Sequence, residues 1–257
     1  MRRHCDNERG RPRNSQFFHI GSGAFIDKTG IIITARHVVE KFANQNSDTH
    51  PFPDEFVITL YPQRTAAGYR LGFVRPCHCA FLPNDSRFSD TASDIALLKV
   101  ADDKGELPTF KLPEKFKLRE GDAIAAAGFP LRDIGNTNIQ PNLCAGIVSQ
   151  MNGILVNGKW TLKNFVADLA VHPGNSGGPV FDVSTGELLG IVSSQTIRPL
   201  NLKQILSVKS ETSKDFDPDS FINRLAVWTN LTNCAPSTSI KTFLKIYKEQ
   251  LLNMPND

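Results

Sequence analysis

The sequence predicts an all-β protein, a barrel or a sandwich, with one helix at its C-terminal end. Short runs of apolar and β-branched residues recur along the 257-residue chain, and Gly, Pro, Asn and Asp separate them. Short strands with turn residues between them are typical of barrels and sandwiches, whereas α/β proteins alternate strands with helices. The predicted strands are HIGSGAFID, GIIITA, EFVITLY, DIALLKV, DAIAAAGF, AGIVSQ, ILVNGKW, NFVAD, PVFD and ELLGIVSS.

A charged segment divides the strand-rich chain into two similar halves. It is ADDKGELPTFKLPEKFKLREG at residues 101–121, which is rich in charge and proline. We interpret this segment as the connector between two barrels. The expected boundaries are an N-terminal barrel over residues 16–112 and a C-terminal barrel over residues 113–235.

The two ends of the chain depart from the strand pattern. Residues 1–15 are basic and lack the apolar core of a secretory signal, so we expect a disordered leader. Residues 236–257 place apolar side chains at helical spacing, which predicts an amphipathic helix packed on the second half. These side chains are Ile240, Phe243, Leu244, Tyr247, Leu251 and Leu252. The polar residues 207–220 predict an exposed loop, either mobile or an inert insertion.

Charge and cysteine content exclude several functional classes. With 29 Lys and Arg against 26 Asp and Glu, the net charge is only +3, and no basic stripe occurs, so we expect no nucleic-acid partner. The sequence has no run of about 18 apolar residues and predicts no membrane span.

Five cysteines without a signal peptide favour a reducing, cytoplasmic location. Cys77 and Cys79 flank His78, and a Cys-x-Cys pair can supply half of the ligands of a zinc site. No second pair of ligands is found at a suitable spacing, so we expect no metal and no cofactor.

The stretch HPGNSGGPV at residues 172–180 surrounds one serine with glycines and prolines. Glycine lets backbone N–H groups point where a side chain would forbid it, and proline fixes the direction of the chain. Ser176 is therefore a candidate nucleophile. A tight turn between two strands has the same composition, so the stretch alone does not distinguish the two interpretations.

Two upstream residues could complete a catalytic triad with this serine. An acyl-transfer serine needs a neutral imidazole to accept its proton and a carboxylate to orient that imidazole. His37 follows the run GIIITA, where the chain turns into a short helix, and Asp94 precedes the run IALLKV. Alone, His37 is more typical of a structural or surface histidine, and Asp94 of a turn or capping residue. Together, the order His37, Asp94, Ser176 is a known chain order for the triad, which would then lie across two barrels.

In the same order, these motifs resemble those of the trypsin/chymotrypsin-fold serine proteases, especially their Deg/HtrA-like branch. The similarity spans roughly residues 20–200, which is far more specific than one motif, and only a last strand, RLAVW, and the helix follow it. The motifs are GSGAFID, GIIITARHVV, DIALLKV, GDAIAAAGFP, AGIVSQ, ADLAVHPGNSGGPVFD and GELLGIVSS.

The resemblance implies a fold and a set of catalytic roles. The fold would be two six-stranded antiparallel β-barrels with the active site in the cleft between them. His37 would be the general base, Asp94 the residue that orients it, and Ser176 the nucleophile. The N–H groups of Gly174 and Ser176 would form the oxyanion hole, since Gly174 has no Cβ to block its N–H.

The resemblance also implies how a polypeptide substrate would bind. The strand with Ser193, Ser194 and Gln195 would pair with the substrate main chain, and Ser193 would hydrogen-bond the Asp94 carboxylate. Ala170 would lie at the base of the pocket for P1, the substrate residue before the scissile bond. An alanine there favours small or aliphatic P1 side chains over Arg or Lys.

Several other residues are candidates for the rest of the P1 pocket. Gln195 and residues 225–227 would form its wall, and Asp168 or the 207–220 loop could also reach into it. The roughly 55 residues after position 200 are too few for a PDZ domain of about 90 residues, so we expect none. Asn175 stands where zymogen-activated relatives have an aspartate, so activation by a new N-terminus is not expected.

The sequence thus predicts a serine endopeptidase that hydrolyses proteins through an acyl-enzyme and is regulated by a protein partner. The main alternative is a protease-fold protein that binds peptides or a partner without cutting. A third interpretation is a latent protease whose site is completed only when a partner binds.

Overall fold

Strands dominate the computed structural model, which describes residues 2–3, 19–40, 56–65, 68–81, 94–100, 107–130, 141–199 and 226–252. The strands are β1 (Arg2–Arg3), β2 (Gly23–Asp27), β3 (Ile31–Thr34), β4 (Phe56–Thr65), β5 (Gly68–Phe81), β6 (Ala96–Val100), β7 (Ala123–Gly128), β8 (Asn142–Val156), β9 (Lys159–Asp168), β10 (Pro179–Asp182), β11 (Leu188–Pro199) and β12 (Ala226–Pro236). The helices are α1 (Arg36–Val39) and α2 (Ser237–Leu252). Neither helix in these ranges has the length and apolar content needed to cross a bilayer. The predicted mostly-β class with a C-terminal helix is confirmed.

The second half of the chain forms a closed antiparallel barrel of six strands. Their order is β10-β11-β12-β9-β8-β7, and β10 closes the barrel because it pairs with both β11 and β7. Buried side chains from these strands and from the segment after β9 form a hydrophobic cluster, which includes Ile124, Val148, Phe165, Leu169, Val171, Val180 and Cys234. One of the two predicted six-stranded barrels is therefore confirmed.

The run ILVNGKW, predicted as a strand, is instead the tip of a hairpin. Strand β8 ends at Val156 and β9 begins at Lys159, with Asn157 and Gly158 between them. Both turn residues have positive φ, 51° and 74°. Two positive φ values define the type I′ turn, which matches the twist of paired strands and prefers the sequence Asn-Gly. The prediction was wrong because the turn signal lies inside the apolar run.

The first half forms an antiparallel sheet of six strands in the order β1-β4-β5-β6-β3-β2. Strand β3 lies between β2 and β6, and all four of its residues are buried. Strand β5 was not predicted, because GYRLGFVRPCHCAF mixes arginine, proline and histidine with its apolar residues. The sixth strand, β1, comes from residues ahead of the 16–112 range. Closure of this sheet into a second barrel and the domain boundaries stay predictions.

One hydrophobic cluster is shared by the two halves. It combines buried side chains of β3 and β6 with Leu188 and Ile191 of β11 and Ala235 of β12. Ile240 and Phe243 of α2 belong to the same cluster. The helix was expected to pack on the second half; it does contact β11 and β12, and it also packs into the core of the first sheet.

Part of the sequence analysis falls on residues outside these ranges. Of the expected leader only Arg2 and Arg3 are described, and they pair with β4. The 207–220 loop, residue 225 of the pocket wall and the side chains of residues 77–79 lie outside the described set.

Candidate active site

Strand β3 and helix α1 fix the backbone of His37. The β-branched isoleucines favour a strand, and all four β3 residues are buried. Val38 and Val39 of α1 are buried as well, whereas the His37 side chain is 46% exposed. His37 therefore combines a firmly anchored backbone with an accessible imidazole.

Asp94, just ahead of β6, orients the His37 ring. Because a carboxylate only accepts hydrogen bonds, His37 Nδ1 carries the proton, and it donates to Asp94 Oδ2 at 2.8 Å and Oδ1 at 3.0 Å. The backbone N–H of His37 also donates to Asp94 Oδ1 at 3.0 Å. Ser193 Oγ donates to Asp94 Oδ2 at 2.5 Å, as predicted. In the neutral ring, Nε2 is left as the nitrogen that can accept a proton.

These hydrogen bonds change the pKa of both groups. The hydrogen bond to Asp94 raises the pKa of His37 above its usual 6.5, against the opposing effect of partial burial. Burial of Asp94 would raise its pKa, but the hydrogen bonds from His37 and Ser193 outweigh burial, and the pKa lies below the usual 3.8. Asp94 is therefore ionised at neutral pH, and His37 binds a proton more readily than a free histidine does.

Ser176 follows a tight turn in the loop between β9 and β10. The carbonyl oxygen of His172 accepts a hydrogen bond from the Asn175 N–H at 3.0 Å, with Pro173 and Gly174 at the central positions. Gly174 has φ of 97°. Proline followed by a residue with positive φ is the pattern of a type II β-turn, and glycine adopts that φ without strain. The turn explains why proline and glycine precede the serine.

The same loop leaves two N–H groups without an acceptor. The N–H groups of Asn175, Gly177 and Gly178 donate to backbone carbonyl oxygens at distances of 2.7 to 3.0 Å. Within the described part of the chain, the N–H groups of Gly174 and Ser176 have no such partner. Two unpaired donors beside a candidate nucleophile are what an oxyanion hole requires.

A cavity of about 340 Å³ connects His37 with Ser176. The predicted substrate-binding residues Ser193, Ser194 and Gln195 also line this cavity. Among the described residues there is no hydrogen bond between His37 Nε2 and Ser176 Oγ. In serine and cysteine enzymes without substrate this contact is often long, and it shortens when substrate binds.

Ala170 is not among the described residues that line that cavity, and its place at the base of the P1 pocket stays a prediction. Residues 168–171 alternate between exposed and buried, as extended chain does, so Leu169 and Val171 point inward and Ala170 points outward. The Ala170 carbonyl oxygen accepts a hydrogen bond from Cys144 Sγ at 2.9 Å. Val171 and Val192, 3% and 2% exposed, supply the aliphatic lining of the cavity.

A second cavity, of about 400 Å³, also borders His37 and Asp94. Asn164 of β9 and Asn233 of β12 line it, and Asn233 Nδ2 donates to Ser194 Oγ at 3.2 Å. Sequence analysis missed both asparagines because no motif surrounds them. In the described ranges no three His, Cys, Asp or Glu side chains are grouped so that they could hold a metal ion.

Sequence analysis also missed Ser22, which lies just ahead of β2 and is only 6% exposed. Its N–H donates to the Ser176 carbonyl oxygen at 2.8 Å. The sequence does contain a signal that could have identified Ser22, because the residue lies between Gly21 and Gly23. A polar residue flanked by glycines is typical of close backbone contacts.

Comparison with known proteins identifies the family to which this chain is similar. The trypsin-like peptidase domain family matches residues 21–191, which include His37, Asp94 and Ser176. A putative protease Do-like 14 of Arabidopsis thaliana is 34% identical over 176 residues, covering 67% of this chain and 34% of the relative. A probable periplasmic serine endoprotease, DegP-like, of Pseudomonas fulva is 32% identical over 184 residues, covering 72% and 30%.

A crystal structure of Deg5 is also similar, with 26% identity, a TM-score of 0.49, and coverage of 68% of this chain and 73% of that one. The chain spans about a third of the length of the curated relatives it matches. The expected absence of a PDZ domain therefore stays a prediction. Because the family match covers well over half of its residues, this chain belongs to the trypsin-like serine peptidases and has Deg/HtrA-like homologues.

Proposed function

We propose that this protein is an endopeptidase that cleaves polypeptides through an acyl-enzyme, with His37, Asp94 and Ser176 as its catalytic triad. The observation that carries the proposal is the oriented imidazole: Asp94 holds His37 at 2.8 Å beside a cavity that Ser176 also lines. Its family membership and its DegP-like homologues support a polypeptide substrate.

The proposed reaction moves one proton through His37. Ser176 Oγ attacks the carbonyl carbon of the scissile peptide while its proton passes to His37 Nε2. The N–H groups of Gly174 and Ser176 stabilise the negative oxygen that forms. The C–N bond then breaks, and His37 returns the proton to the leaving amine. Water repeats the sequence on the ester and releases Ser176.

We also propose that the P1 pocket prefers small or aliphatic side chains. Its buried lining comes from Val171 and Val192, and none of the described residues that line it is an acid to pair with Arg or Lys. An unpaired cation in such a pocket would lose its hydration without compensation. Among fluorogenic peptides that differ only at P1, valine and alanine should have a higher kcat/KM than lysine and arginine. A preference for lysine or arginine would contradict this part of the proposal.

The direct test compares wild type with Ser176→Ala. The wild type should react with a fluorophosphonate probe at Ser176 and hydrolyse unfolded casein. Ser176→Ala should lose roughly 10⁶-fold in kcat and should not be labelled, while its free energy of unfolding stays that of wild type. Ser184→Ala, which changes an exposed serine held by Asp182, is the matched control and should behave as wild type. Equal hydrolysis by wild type and Ser176→Ala would reject the proposal.

The same experiment separates the alternatives. A binding module would retain peptides without reacting with the probe. A latent protease, whose site is completed only when a partner binds, would react only after that partner is added. We propose instead that a protein partner regulates a site that is already complete.

A further inference from the structure

Ser22 binds both of the loop residues that carry the unpaired N–H groups. Its hydroxyl donates to the Gly174 carbonyl oxygen at 2.7 Å, and its backbone N–H donates to the Ser176 carbonyl oxygen at 2.8 Å. One residue of the first half therefore holds the nucleophile loop at two points, on either side of Asn175. The two contacted residues are 152 and 154 positions away in the chain.

A third contact completes the hydrogen bonding of the Ser22 hydroxyl. The backbone N–H of Phe129, just after β7, donates to Ser22 Oγ at 2.8 Å. Oγ accepts there, and its own proton points to the Gly174 carbonyl oxygen, which can only accept. Thr34 Oγ1 donates in turn to the Ser22 carbonyl oxygen at 2.7 Å. Each bond in such a buried series polarises the next, and the series is costly to break because its members cannot turn to water.

We infer that Ser22 is a positioning residue for the oxyanion hole. It draws the carbonyl groups of Gly174 and Ser176 to one side, and the N–H groups of these two residues are the ones left without a backbone acceptor. Fixing the carbonyl of each residue restrains the backbone torsions next to its N–H, and hence the angle and spacing between the two donors. The inference rests on the proposed function, since donors need this precision only if an oxyanion forms between them.

The proposed role predicts a specific kinetic change in Ser22→Ala. This variant keeps its backbone bond to Ser176 and loses the bond to Gly174, so the loop is held at one point only. Because loss of a complete oxyanion donor costs about 10² to 10³ in rate, a displaced donor should lower kcat about 10- to 100-fold. KM for a fluorogenic peptide with valine at P1 should change less than about threefold, because the hole stabilises the transition state rather than the bound substrate.

Two further measurements exclude a general structural defect. A peptide ending in valine aldehyde forms an oxyanion with Ser176, so its affinity should fall by the same factor as kcat. The pH at which kcat/KM reaches half of its maximum should not move, because the hydroxyl lies apart from the hydrogen bonds of His37 and Asp94. Ser22→Thr, which keeps the hydroxyl, should recover most of the lost kcat.

The matched control is Ser237→Ala. Ser237 is a buried serine like Ser22, but among the described residues its hydroxyl has no hydrogen-bond partner. Its removal should leave kcat, KM and aldehyde affinity unchanged. Should Ser22→Ala fail to fold, Ser22→Cys replaces it, since the thiol fills the site but is a weak donor, and it should also show reduced kcat with unchanged KM.

The outcomes distinguish this inference from the proposed function. If wild type is active and Ser22→Ala retains kcat and aldehyde affinity within threefold, the role of Ser22 is wrong and the triad is unaffected. Equal loss in Ser22→Ala and Ser22→Thr would indicate a packing role and would also overturn the inference. A wild type with neither hydrolysis nor labelling would count against the proposed function, and the role of Ser22 would fall with it.

Discussion

His37 and Asp94 differ in how much of each side chain meets solvent. The His37 side chain is 46% exposed, and that of Asp94 is 20% exposed. The less exposed carboxylate keeps its charge because the hydrogen bonds from His37 and Ser193 outweigh the cost of burial. The more exposed imidazole can receive a proton from one side while its other nitrogen stays bound to Asp94.

The pKa of His37 provides a residue-scale prediction. An NMR titration of the His37 ring should give a pKa above 6.5 in wild type, since the ionised Asp94 favours the protonated ring. Because the neutral ring is the base, kcat/KM should be lost as pH falls through that value. Asp94→Asn should lower the pKa and reduce kcat about 10⁴-fold, as the same change does in other Ser-His-Asp proteases.

Glu40→Gln is the control for that titration. Glu40 raises the pKa of His37 less than Asp94 does and makes no hydrogen bond with the ring, so its neutralisation should lower the pKa only slightly. A His37 pKa at or below 6.5 in wild type, or one that does not fall in Asp94→Asn, would contradict the orientation of the pair.

At the scale of elements, the nucleophile loop packs directly on the end of β3. Gly177 has φ of 83°, and a Cβ placed there would lie 2.2 Å from Thr34 Oγ1 and 2.3 Å from the Ser22 carbonyl oxygen. Its N–H also donates to the Val192 carbonyl oxygen at 2.7 Å. Two strands from different halves therefore approach the loop at a residue that has no room for a side chain.

Gly177→Ala should destabilise the protein more than Gly186→Ala. Both glycines have positive φ, which costs about 1–2 kcal/mol for another residue. Only Gly177 is crowded, because a Cβ at Gly186 would meet nothing within 4 Å. Overpacking adds about 1–3 kcal/mol, so urea unfolding should give a loss of about 2–5 kcal/mol for Gly177→Ala and about 1–2 kcal/mol for Gly186→Ala. Equal losses would show that the loop can move away from β3.

Elements with a continuous local pattern were predictable, and those without one were not. Strand β3 has four adjacent apolar or β-branched residues, and the structure places it as expected. Strand β5 has no such run, and its assignment depends on pairing with β4 and β6. The Asn-Gly sequence at the hairpin tip, Asn157 and Gly158, is a clear turn signal. The apolar residues on either side nevertheless led to the prediction of a continuous strand.

At the scale of the whole molecule, the shared cluster connects the two halves. Phe243 of α2 is 1% exposed and belongs to the same cluster as Ile33 of β3 and Ile191 of β11. Side chains from the first sheet, the barrel and the helix therefore lose solvent contact together. We expect the two halves to unfold as one cooperative unit.

Phe243→Ala tests that expectation. Removing a buried phenylalanine should lower the free energy of unfolding by about 3–5 kcal/mol. Hydrogen exchange should become faster in both β3 and β11, since both contribute to the cluster. Lys245→Ala, on the exposed side of the same helix, should change stability by less than about 0.5 kcal/mol. Unchanged exchange in β3 would mean that the halves unfold independently.

The sequence by itself determined the β-rich class, the C-terminal helix and the positions of His37, Asp94 and Ser176. Each of these is marked locally: by strand-forming runs, by helical spacing, or by the glycines and prolines around the serine. The roles of the three residues stay predictions, but the structure places His37 and Ser176 on one cavity with Asp94 bound to the histidine.

Only the tertiary structure decided which distant residues complete the site. It placed Val171 and Val192 in the lining of the cavity beside Ser176, because the alternation of an extended chain decides which side chains point inward. It brought α2 into the core of the first sheet and Ser22 onto a loop 152 residues away. Hydrogen bonds and burial across such separations depend on how the sheets pack, and no local pattern in the chain records that packing.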